Sequence, residues 1–264
     1  MYLGKSIPED LTRYRAVVDR EIRSETWYDL LDKIQAAYQR YRAAQPPSVR
    51  EKEANSFILE FTYDTNRIEG STLSLEDTRS LLERGLLPAT KPLRDARETQ
   101  NHAHLLRRLL GSPEPLDLRH LLQWHRELFR ETTPDLAGRL RDYEVRIRGS
   151  RHLPPSALEV RPSLLELLRW TSRTESTVHP VERAAEFQFR FEHIHPFGDG
   201  NGRIGRLAMN LLLAQEEFPM LNIQYKGRWG YYSALEKASR SNDARAFIHW
   251  FFLVTPGRTG SILD

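Results

Sequence analysis

The residues with the clearest chemical potential lie in one glycine-rich stretch, FEHIHPFGDGNGRIGRLA, which covers residues 191–208. Three of its four glycines precede an apolar helical pattern that starts at Ile204. Free N–H groups and the partial positive charge at a helix N-terminus bind anions, and glycines let a ligand approach the backbone. Arg203 and Arg206 lie three positions apart on this helix, where their guanidinium groups can hold further phosphate oxygens. The stretch therefore predicts a phosphate-binding site.

Two other side chains in the stretch point to catalysis at this site. Asp199 is unfavourable beside a phosphate unless a cation neutralises it, which predicts Mg²⁺ between its carboxylate and the phosphates. His195 comes just before the loop and is the one residue there that titrates near neutral pH. It is therefore the candidate general base.

Four other interpretations fit the stretch less well. Residues 200–205 match a G-x-G-x-x-G dinucleotide fingerprint, but a helical segment precedes them and no acid follows about 20 residues later. A calcium loop that starts at Asp199 fails because Arg203 and Asn210 stand where oxygen ligands are needed. His193 and His195 could form a metal pair, but no third ligand has a recognisable spacing. A purely structural turn would leave this set of polar residues unexplained.

Residues 195–206, HPFGDGNGRIGR, resemble without departure the H-x-F-x-[DE]-G-N-G-R-x-x-R signature of Fic-domain proteins. In that family the motif belongs to enzymes that transfer AMP from ATP to a protein hydroxyl. The related Doc branch phosphorylates its targets and usually has lysine where this chain has Gly202, so the difference favours nucleotidyl transfer. The resemblance covers roughly residues 65–255 and includes Glu98–Asn101, Gly138-Arg139, 145–149 and Tyr231–Leu235.

The resemblance implies a role for each matching residue. His195 would deprotonate a Ser, Thr or Tyr hydroxyl of the target, and Asp199 would hold Mg²⁺ against the α- and β-phosphates of ATP. Tyr232 falls where the family closes its adenine pocket. The implied phosphate-binding residues are Gly200, Asn201 and Gly202 at the α-phosphate, Arg203 at the α/β oxygens and Arg206 at the γ-phosphate.

A second pattern lies upstream, at the end of a predicted helix. Thr65 and Glu69 are four positions apart on one helical face, and Gly70 suits a left-handed helix cap. The segment of about residues 56–70 resembles the inhibitory helix that precedes the catalytic core in one Fic subgroup. The resemblance implies that Glu69 pairs with Arg206. Its carboxylate would then compete with the γ-phosphate for the same guanidinium, and ATP would bind with a misplaced α-phosphate.

Nearly the whole chain has the apolar spacing of helices, and Pro, Gly and Ser clusters separate one helical pattern from the next. The glycine-rich stretch and the upstream pattern are therefore expected to be held by helices. We predict an all-α fold of the Fic type. An N-terminal helical extension would occupy residues 1–60, and the catalytic domain, including the inhibitory helix, would occupy residues 61–264. A helix break is predicted at Pro46-Pro47, and helix starts are predicted at Ser74, at Ser112–Leu116 and at Pro180.

One stretch departs from the helical pattern. Tyr143–Gly149 alternates apolar and charged residues and then reaches a turn, which predicts a small β-hairpin. A short extended connection between helices fits the pattern equally well. The resemblance identifies this stretch with the family's flap, which pairs with an extended target segment as an added strand. The implied docking residues are Val145, Arg146, Ile147 and Arg148.

Composition excludes several classes of protein. The chain has 264 residues, no cysteine, and 39 basic against 36 acidic side chains. It therefore lacks disulfides and thiol nucleophiles, and its mixed charges make nucleic-acid binding an unfavoured interpretation. No apolar run reaches the roughly 18 residues of a membrane helix. Acids at Glu9 and Asp10 stand where a secretory signal would be apolar, so we expect a cytoplasmic protein.

The leading hypothesis is an autoinhibited protein adenylyltransferase that uses ATP and Mg²⁺ and acts on a protein substrate, with a homodimer as a further expectation. One alternative stays within enzymes: removal of AMP, with Glu69 orienting a water molecule. The other alternative is a regulatory or DNA-associated module that has the fold without the activity.

Overall fold

The computed structural model describes residue 18 and residues 21–87, 89–112, 114–147 and 149–258. Throughout these residues the regular structure is helical, which confirms the predicted all-α fold. No helix in the described part of the chain combines the length and the apolar character that a membrane span requires. The α-helices are α1 (Asp29–Ala44), α2 (Pro47–Ile68), α3 (Leu75–Arg84), α4 (Leu93–Gly111), α5 (Leu118–Phe129), α6 (Ala157–Arg173), α7 (Pro180–Ile194), α8 (Asn201–Gln215), α9 (Arg228–Ser241) and α10 (Arg245–Arg258).

Helices α7 and α8 form the centre of the fold. Every residue of α8 from Asn201 to Leu213 is buried. Apolar and small residues occupy most of these positions, and the buried arginines Arg203 and Arg206 are paired with carboxylates of other elements. Helices α2, α4 and α5 pack against α8, whereas α6 and α10 pack against α7. The loop that joins α7 to α8 is therefore held between two buried helices, and this loop carries the glycine-rich motif.

Helix α2 brings the upstream pattern to this centre. It begins at Pro47, where the paired prolines predicted a break, and it ends at Ile68. Gly70 follows with φ of 97°, the left-handed conformation that was expected of it. A single helix thus runs through residue 60, the predicted end of the N-terminal extension. Residues 1–17 of that extension, and residues 259–264 of the predicted catalytic domain, lie outside the described residues.

Two of the three predicted helix starts are confirmed. Ser74 forms a capping box with Asp77, and Pro180 is the first residue of α7. The start predicted at Ser112–Leu116 is wrong, since Ser112 caps the C-terminus of α4 and α5 begins only at Leu118. The Asp117 side chain accepts the N–H of His120 at 2.8 Å. A proline disfavours the helical conformation of the residue before it. The helix therefore begins only after Pro115, at the first residue whose side chain can cap it, Asp117.

The prediction of a β-hairpin over Tyr143–Gly149 is wrong. The described residues of this segment contain no strand and form an irregular connection between α5 and α6. Its end is fixed by side chains and a turn, since the Ser150 N–H donates to the Ile147 carbonyl at 3.2 Å and its hydroxyl donates to Glu236 of α9 at 2.6 Å. A single extended segment without a partner strand has no ladder to stabilise it. Arg148 lies outside the described residues.

Candidate active site

The loop between α7 and α8 is bounded by two left-handed residues. His195 caps α7 with φ of 50° and ψ of 62°, and its N–H donates to the Phe191 carbonyl at 2.9 Å. Gly200, with φ of 78°, is the N-cap of α8. A Cβ at Gly200 would lie 2.3 Å from Cε2 of Phe129, so both the conformation and the packing require glycine there. Because Gly200 provides no side-chain cap, the first N–H groups of α8 are left for a ligand.

Asn201 fixes the path of this loop. Its Oδ1 accepts the N–H of Phe197 at 2.8 Å, and its Nδ2 donates to the Phe197 carbonyl at 2.8 Å. The ring of Phe197 stacks on His125 with centroids 4.0 Å apart. The amide of Asn201 is thus occupied by the loop backbone, and its effect on a bound phosphate is to hold the neighbouring N–H groups in place.

Arg141, which the sequence interpretation missed, clamps the end of α7. Its guanidinium donates to the carbonyls of Ile194 and His195 at 3.3 and 2.8 Å, and also to those of Tyr143 and Pro155 at 3.0 and 2.6 Å. A cation at a helix C-terminus compensates the exposed carbonyls and the helix dipole. Burial lowers the pKa of Arg141. This clamp holds the backbone of His195 against the start of the 143–149 segment.

The imidazole of His195 is mostly buried, with 20% of the side chain exposed. Burial lowers its pKa to about 4, although the nearby Glu69 charge and the backbone of Glu192 oppose that shift. At neutral pH the ring is therefore uncharged, which is the form that can accept a proton. Its Nδ1 is buried without a hydrogen-bond partner among the described residues and lies 3.9 Å from Oε2 of Glu192.

Asp199 lies at the mouth of the loop and is surrounded by donors. One carboxylate oxygen accepts the N–H of Gly200 at 2.6 Å and Nη2 of Arg203 at 3.2 Å. The other oxygen accepts from Nη2 of Arg94, on α4, at 2.9 Å. Its side chain is 36% exposed, so an arriving cation can reach the oxygen that Arg94 holds.

The possible metal ligands around Asp199 fit a cation site that has one protein carboxylate and takes its other oxygens from outside the protein. Within the described ranges there is no group of three or more His, Cys, Asp or Glu side chains that could hold a metal ion. A cation at this carboxylate would thus take its other ligands from water and from a bound nucleotide. Mg²⁺ binds in this way in nucleotide sites, with one or two carboxylates and several phosphate or water oxygens.

His125 holds the backbone of Asp199 from α5. The N–H of Gly138 donates to Nδ1 of His125 at 2.9 Å, so Nδ1 is an acceptor and the proton is on Nε2. That Nε2 donates to the Asp199 carbonyl at 3.0 Å. Burial lowers the pKa of His125 to about 4, which keeps the ring neutral and preserves this arrangement at physiological pH.

Arg203 is buried in a charged network that joins three helices. Its Nη1 pairs with the carboxylate of Glu98 on α4 and lies 3.5 Å from Oδ1 of Asn66 on α2. The guanidinium lies 4.6 Å above the ring of Phe129. Arg94 binds the other oxygen of Glu98 at 2.8 Å. The network presents one face of Arg203 towards Asp199, where phosphate oxygens were predicted.

Arg206 is held by the end of α2. It is 1% exposed, and its Nε donates to Oγ1 of Thr65 at 2.7 Å. Its Nη2 donates to Oε1 of Glu69 at 2.7 Å and to the Thr65 carbonyl at 3.2 Å. Burial alone would lower the pKa of Arg206, but the Glu69 carboxylate raises it overall. The structure thus brings together the two residues that the sequence placed on separate segments.

The Glu69 carboxylate lies on the first turn of α8. A Cβ at Gly202 would lie 2.1 Å from Oε1 of Glu69, so the carboxylate fills the space above this glycine. That space belongs to the anion site, meaning the first-turn N–H groups of α8 together with Arg203 and Arg206. A protein carboxylate therefore stands where the sequence predicts a phosphate.

Two tyrosines of α9 face the same region. Tyr232, which is 37% exposed, donates from its hydroxyl to the carbonyl of Ile68 at 3.0 Å, and so contacts the end of α2. Burial raises its pKa. Tyr231 is 1% exposed and donates from its hydroxyl to Oε1 of Glu192 at 3.1 Å. Tyr231 is thus a core residue, and Tyr232 is the one at the edge of the site.

The predicted docking segment begins against the loop. A Cβ at Gly198 would lie 2.1 Å from the hydroxyl oxygen of Tyr143, which therefore rests on this glycine. Beyond it, Val145 and Ile147 are half-buried and Arg146 is exposed, so the predicted alternation of side chains persists without a strand.

The sequence interpretation missed Arg94, His125, Arg141 and Glu192. Glu192 had a usable signal, because it lies three positions before His195 and therefore on the same helical face. Arg94 had a similar signal, four positions before Glu98. His125 and Arg141 act on the backbone of the loop, and no spacing along the chain could have revealed those contacts.

Comparison with known proteins places this site in a family. Residues 115–213 match the sequence model of the Fic/DOC family. The chain is 33% identical over 196 residues to protein adenylyltransferase fic-1 of Caenorhabditis elegans, which covers 72% of this chain and 38% of that relative. The chain spans 38% to 53% of the length of the first curated relatives it matches.

Solved structures give the same result for the fold. A structure of Fic-1 of C. elegans, residues 134–508, has a TM-score of 0.77 at 26% identity and covers 96% of this chain and 74% of that one. A Fic-domain-containing signalling protein of Bacteroides thetaiotaomicron has a TM-score of 0.75 at 25% identity and covers 87% of this chain and 92% of that one.

Proposed function

Because the chain belongs to the Fic/DOC family, we propose that it is an autoinhibited protein adenylyltransferase that transfers AMP from ATP to a Ser, Thr or Tyr hydroxyl of a target protein. The observation that carries this proposal is the Glu69 carboxylate, bound to Arg206 at 2.7 Å and packed on Gly202. It supports the proposal because a carboxylate already lies on the anion site, where a correctly placed triphosphate would have to displace it.

The anion site suits the phosphates of ATP. The first-turn N–H groups of α8 would bind the α-phosphate, Arg203 would bind α/β oxygens, and Arg206 would bind the γ-phosphate once Glu69 has left. Asp199 would hold Mg²⁺, which would neutralise phosphate charge in the bound nucleotide. Tyr232 would border the adenine, since it lies at the edge of the site against the end of α2.

His195 supplies the proton transfer. Its neutral ring accepts the hydroxyl proton of the target at Nε2 while the hydroxyl oxygen attacks the α-phosphorus. The bond from the α-phosphorus to the bridging oxygen breaks, and pyrophosphate leaves with that electron pair. The N–H groups that Asn201 holds in place stabilise the negative charge that develops on the α-phosphate oxygens.

A target segment would dock along residues 143–149. Side chains alternate there, with Val145 and Ile147 half-buried and Arg146 exposed. No strand pairs with this segment within the described residues, so an extended peptide could add to it through backbone hydrogen bonds. Arg141 ties the start of the segment to the backbone of His195, so a docked peptide would lie beside the general base.

The proposal is tested with the Glu69→Gly variant, Mg²⁺ and two preparations of ATP, one labelled at the α-phosphate and one at the γ-phosphate. We expect protein-bound label only from the α-labelled ATP, on the variant itself or on lysate proteins, and no label with the added change His195→Ala. Transfer of γ-label would instead establish phosphorylation. Absence of label from both preparations would contradict the proposed activity.

A further inference from the structure

Glu192 is a mostly buried carboxylate that has no part in the proposed reaction so far. It lies on α7 one turn before His195, and 14% of its side chain is exposed. Its Oε1 accepts a hydrogen bond from the Tyr231 hydroxyl at 3.1 Å and another from Nε2 of Gln188 at 3.1 Å. Gln188 also donates to the Tyr231 oxygen at 2.8 Å. These contacts fix one oxygen of the carboxylate and leave the other directed elsewhere.

The second oxygen of Glu192 faces the candidate general base. Oε2 lies 3.9 Å from Nδ1 of His195, and that nitrogen is buried with no hydrogen-bond partner in the described part of the chain. A buried polar nitrogen without a partner is costly. Catalytic hydrogen bonds are often long before substrate binds and tighten in the reactive complex, and a shift of about 1 Å would complete this one.

Resting on the proposed function, we propose that Glu192 is the positioning residue of His195: it keeps the ring proton on Nδ1, leaves Nε2 free to act as the base, and stabilises the imidazolium. In the transfer step, the target oxygen bonds to the α-phosphorus, pyrophosphate leaves with the electron pair, and the hydroxyl proton moves to Nε2. The ring then carries protons on both nitrogens, and Nδ1–H faces the Glu192 carboxylate. A buried carboxylate has this role beside the histidine of serine proteases.

The surroundings link this carboxylate to the inhibitory contact. The Glu192 carboxylate is hydrogen-bonded by Gln188 and Tyr231 and lies close to His195. The polar or charged groups that act on it through their charge come from three other elements: Tyr232 on α9, Arg206 on α8 and Glu69 at the end of α2. The pKa of Glu192 is raised to about 7, first by burial and then by the charge of Glu69, while the charge of Arg206 opposes the rise. Departure of Glu69 therefore favours the ionised form of Glu192. The event that frees Arg206 for ATP also prepares the partner of His195.

The kinetic test is Glu192→Gln in the activated Glu69→Gly background. Glutamine keeps an oxygen for Tyr231 and removes the charge beside His195. We expect kcat for AMP transfer to fall by roughly 10- to 100-fold, part of what a general base contributes, while KM for ATP stays within about twofold. The matched control is Glu186→Gln on the same helix, where Glu186 pairs with Arg190 at 3.6 Å in a surface groove. Equal kcat in the two glutamine variants would overturn the proposal.

A second measurement needs neither ATP nor a target. Imidazole ¹⁵N NMR at pH 7.5 reports the tautomer of each of the nine histidines, and the spectrum of His195→Ala assigns His195. We expect the Nδ1–H tautomer in the unmodified protein and a shift towards Nε2–H in Glu192→Gln, because the new amide can donate to Nδ1. An Nε2–H tautomer in the unmodified protein, or no change in the variant, would overturn the assignment. If the tautomer changes but Glu69→Gly transfers no AMP, the proposed function fails and the Glu192–His195 interaction stands.

Discussion

His195 has a left-handed backbone, which is strained for a residue other than glycine, and an imidazole whose pKa is lowered. Both properties are connected with its position at the end of α7, where the chain turns and the ring is mostly buried. The left-handed backbone caps α7, and burial keeps the ring neutral, with a pKa of about 4. A neutral imidazole contributes little to binding a triphosphate, whose proposed contacts are Arg203, Arg206 and the N-terminus of α8. Base and binding functions are thus carried by different residues.

The separation predicts that His195→Ala abolishes AMP transfer and leaves nucleotide binding nearly intact, because a general base acts on the hydroxyl rather than on the phosphates. Calorimetry with Mg²⁺ and ATP in the Glu69→Gly background measures the binding, and label transfer measures the rate. A loss of affinity in parallel with the loss of rate would assign His195 a role in binding or folding instead.

Glu192 predicts a pH-dependent effect on stability. Its pKa is raised from 4.5 to about 7, mainly by burial, so the folded state binds the proton more tightly than the unfolded state. The stabilisation is fully present below about pH 4.5 and is lost as pH rises through 7. The shift corresponds to roughly 3 kcal/mol. Glu192→Gln cannot lose a proton, so its Tm relative to the unmodified protein should rise between pH 5 and pH 8. A constant Tm difference across that range would contradict a titrating Glu192.

At the scale of elements, the contact between the end of α2 and α8 is the proposed switch. Breaking one charged hydrogen bond of about 1.5–3 kcal/mol should free Arg206 for the γ-phosphate, so Glu69→Gly should raise transfer roughly ten- to a hundredfold. Arg206→Ala should lose activity. The double variant should behave like Arg206→Ala, because release of an absent arginine gains nothing. Transfer rates of the four proteins give the coupling directly.

One result of this comparison of four proteins would contradict the proposed switch: Glu69→Gly activates the Arg206→Ala background as strongly as it activates the unmodified protein. In that case Glu69 would act elsewhere than on Arg206, and the contact at 2.7 Å would have no part in regulation.

Helices were predictable where capping and periodicity are local. Ser74, Pro180 and Gly70 act on their own backbone or on residues within one turn, so their types and spacing already contain the result. The start of α5 was misplaced by a few residues because Asp117 competes with earlier caps. The sequence of residues 143–149 could not decide whether a hairpin forms there. Alternating apolar and charged residues are compatible with a strand, but a strand is stable only beside a second strand, and the alternation does not show whether one is present.

At the site, the motif residues were predictable and their supports were not. The types and spacing of His195, Asp199, Arg203 and Arg206 predict an anion site with a base and a metal carboxylate, and the structure brings these four residues to one loop and helix start. Their partners Arg94 and Arg141 come from other elements, and only the packing of α4 and of the connection after α5 brings them close. Long-range hydrogen bonds to backbone carbonyls leave no periodic trace in a sequence.

For the whole molecule, Glu69 acts as a ligand that the fold supplies to itself. The buried helix α8 presents an N-terminus without a side-chain cap, and α2 delivers a carboxylate to it. If the proposed function holds, the Glu69 carboxylate and a bound triphosphate compete for the same arginine. In the proposed mechanism, a triphosphate must displace Glu69 before its γ-phosphate can contact Arg206, so part of its binding free energy offsets the loss of the Glu69–Arg206 hydrogen bond.

This competition predicts a larger thermal stabilisation by nucleotide in Glu69→Gly than in the unmodified protein. If removal of the carboxylate tightens binding about tenfold, excess nucleotide adds about 1.4 kcal/mol more stability to the variant. For a chain of this size, the extra shift in Tm is roughly 3–5 °C. The measurement uses Mg²⁺ with α,β-methylene ATP, whose α–β bridge cannot be cleaved, so transfer does not interfere. Arg206→Ala with Glu69→Gly is the control and should show no extra shift, because the freed contact needs the arginine. Equal shifts in Glu69→Gly and the unmodified protein would mean that Glu69 and the triphosphate do not share a site.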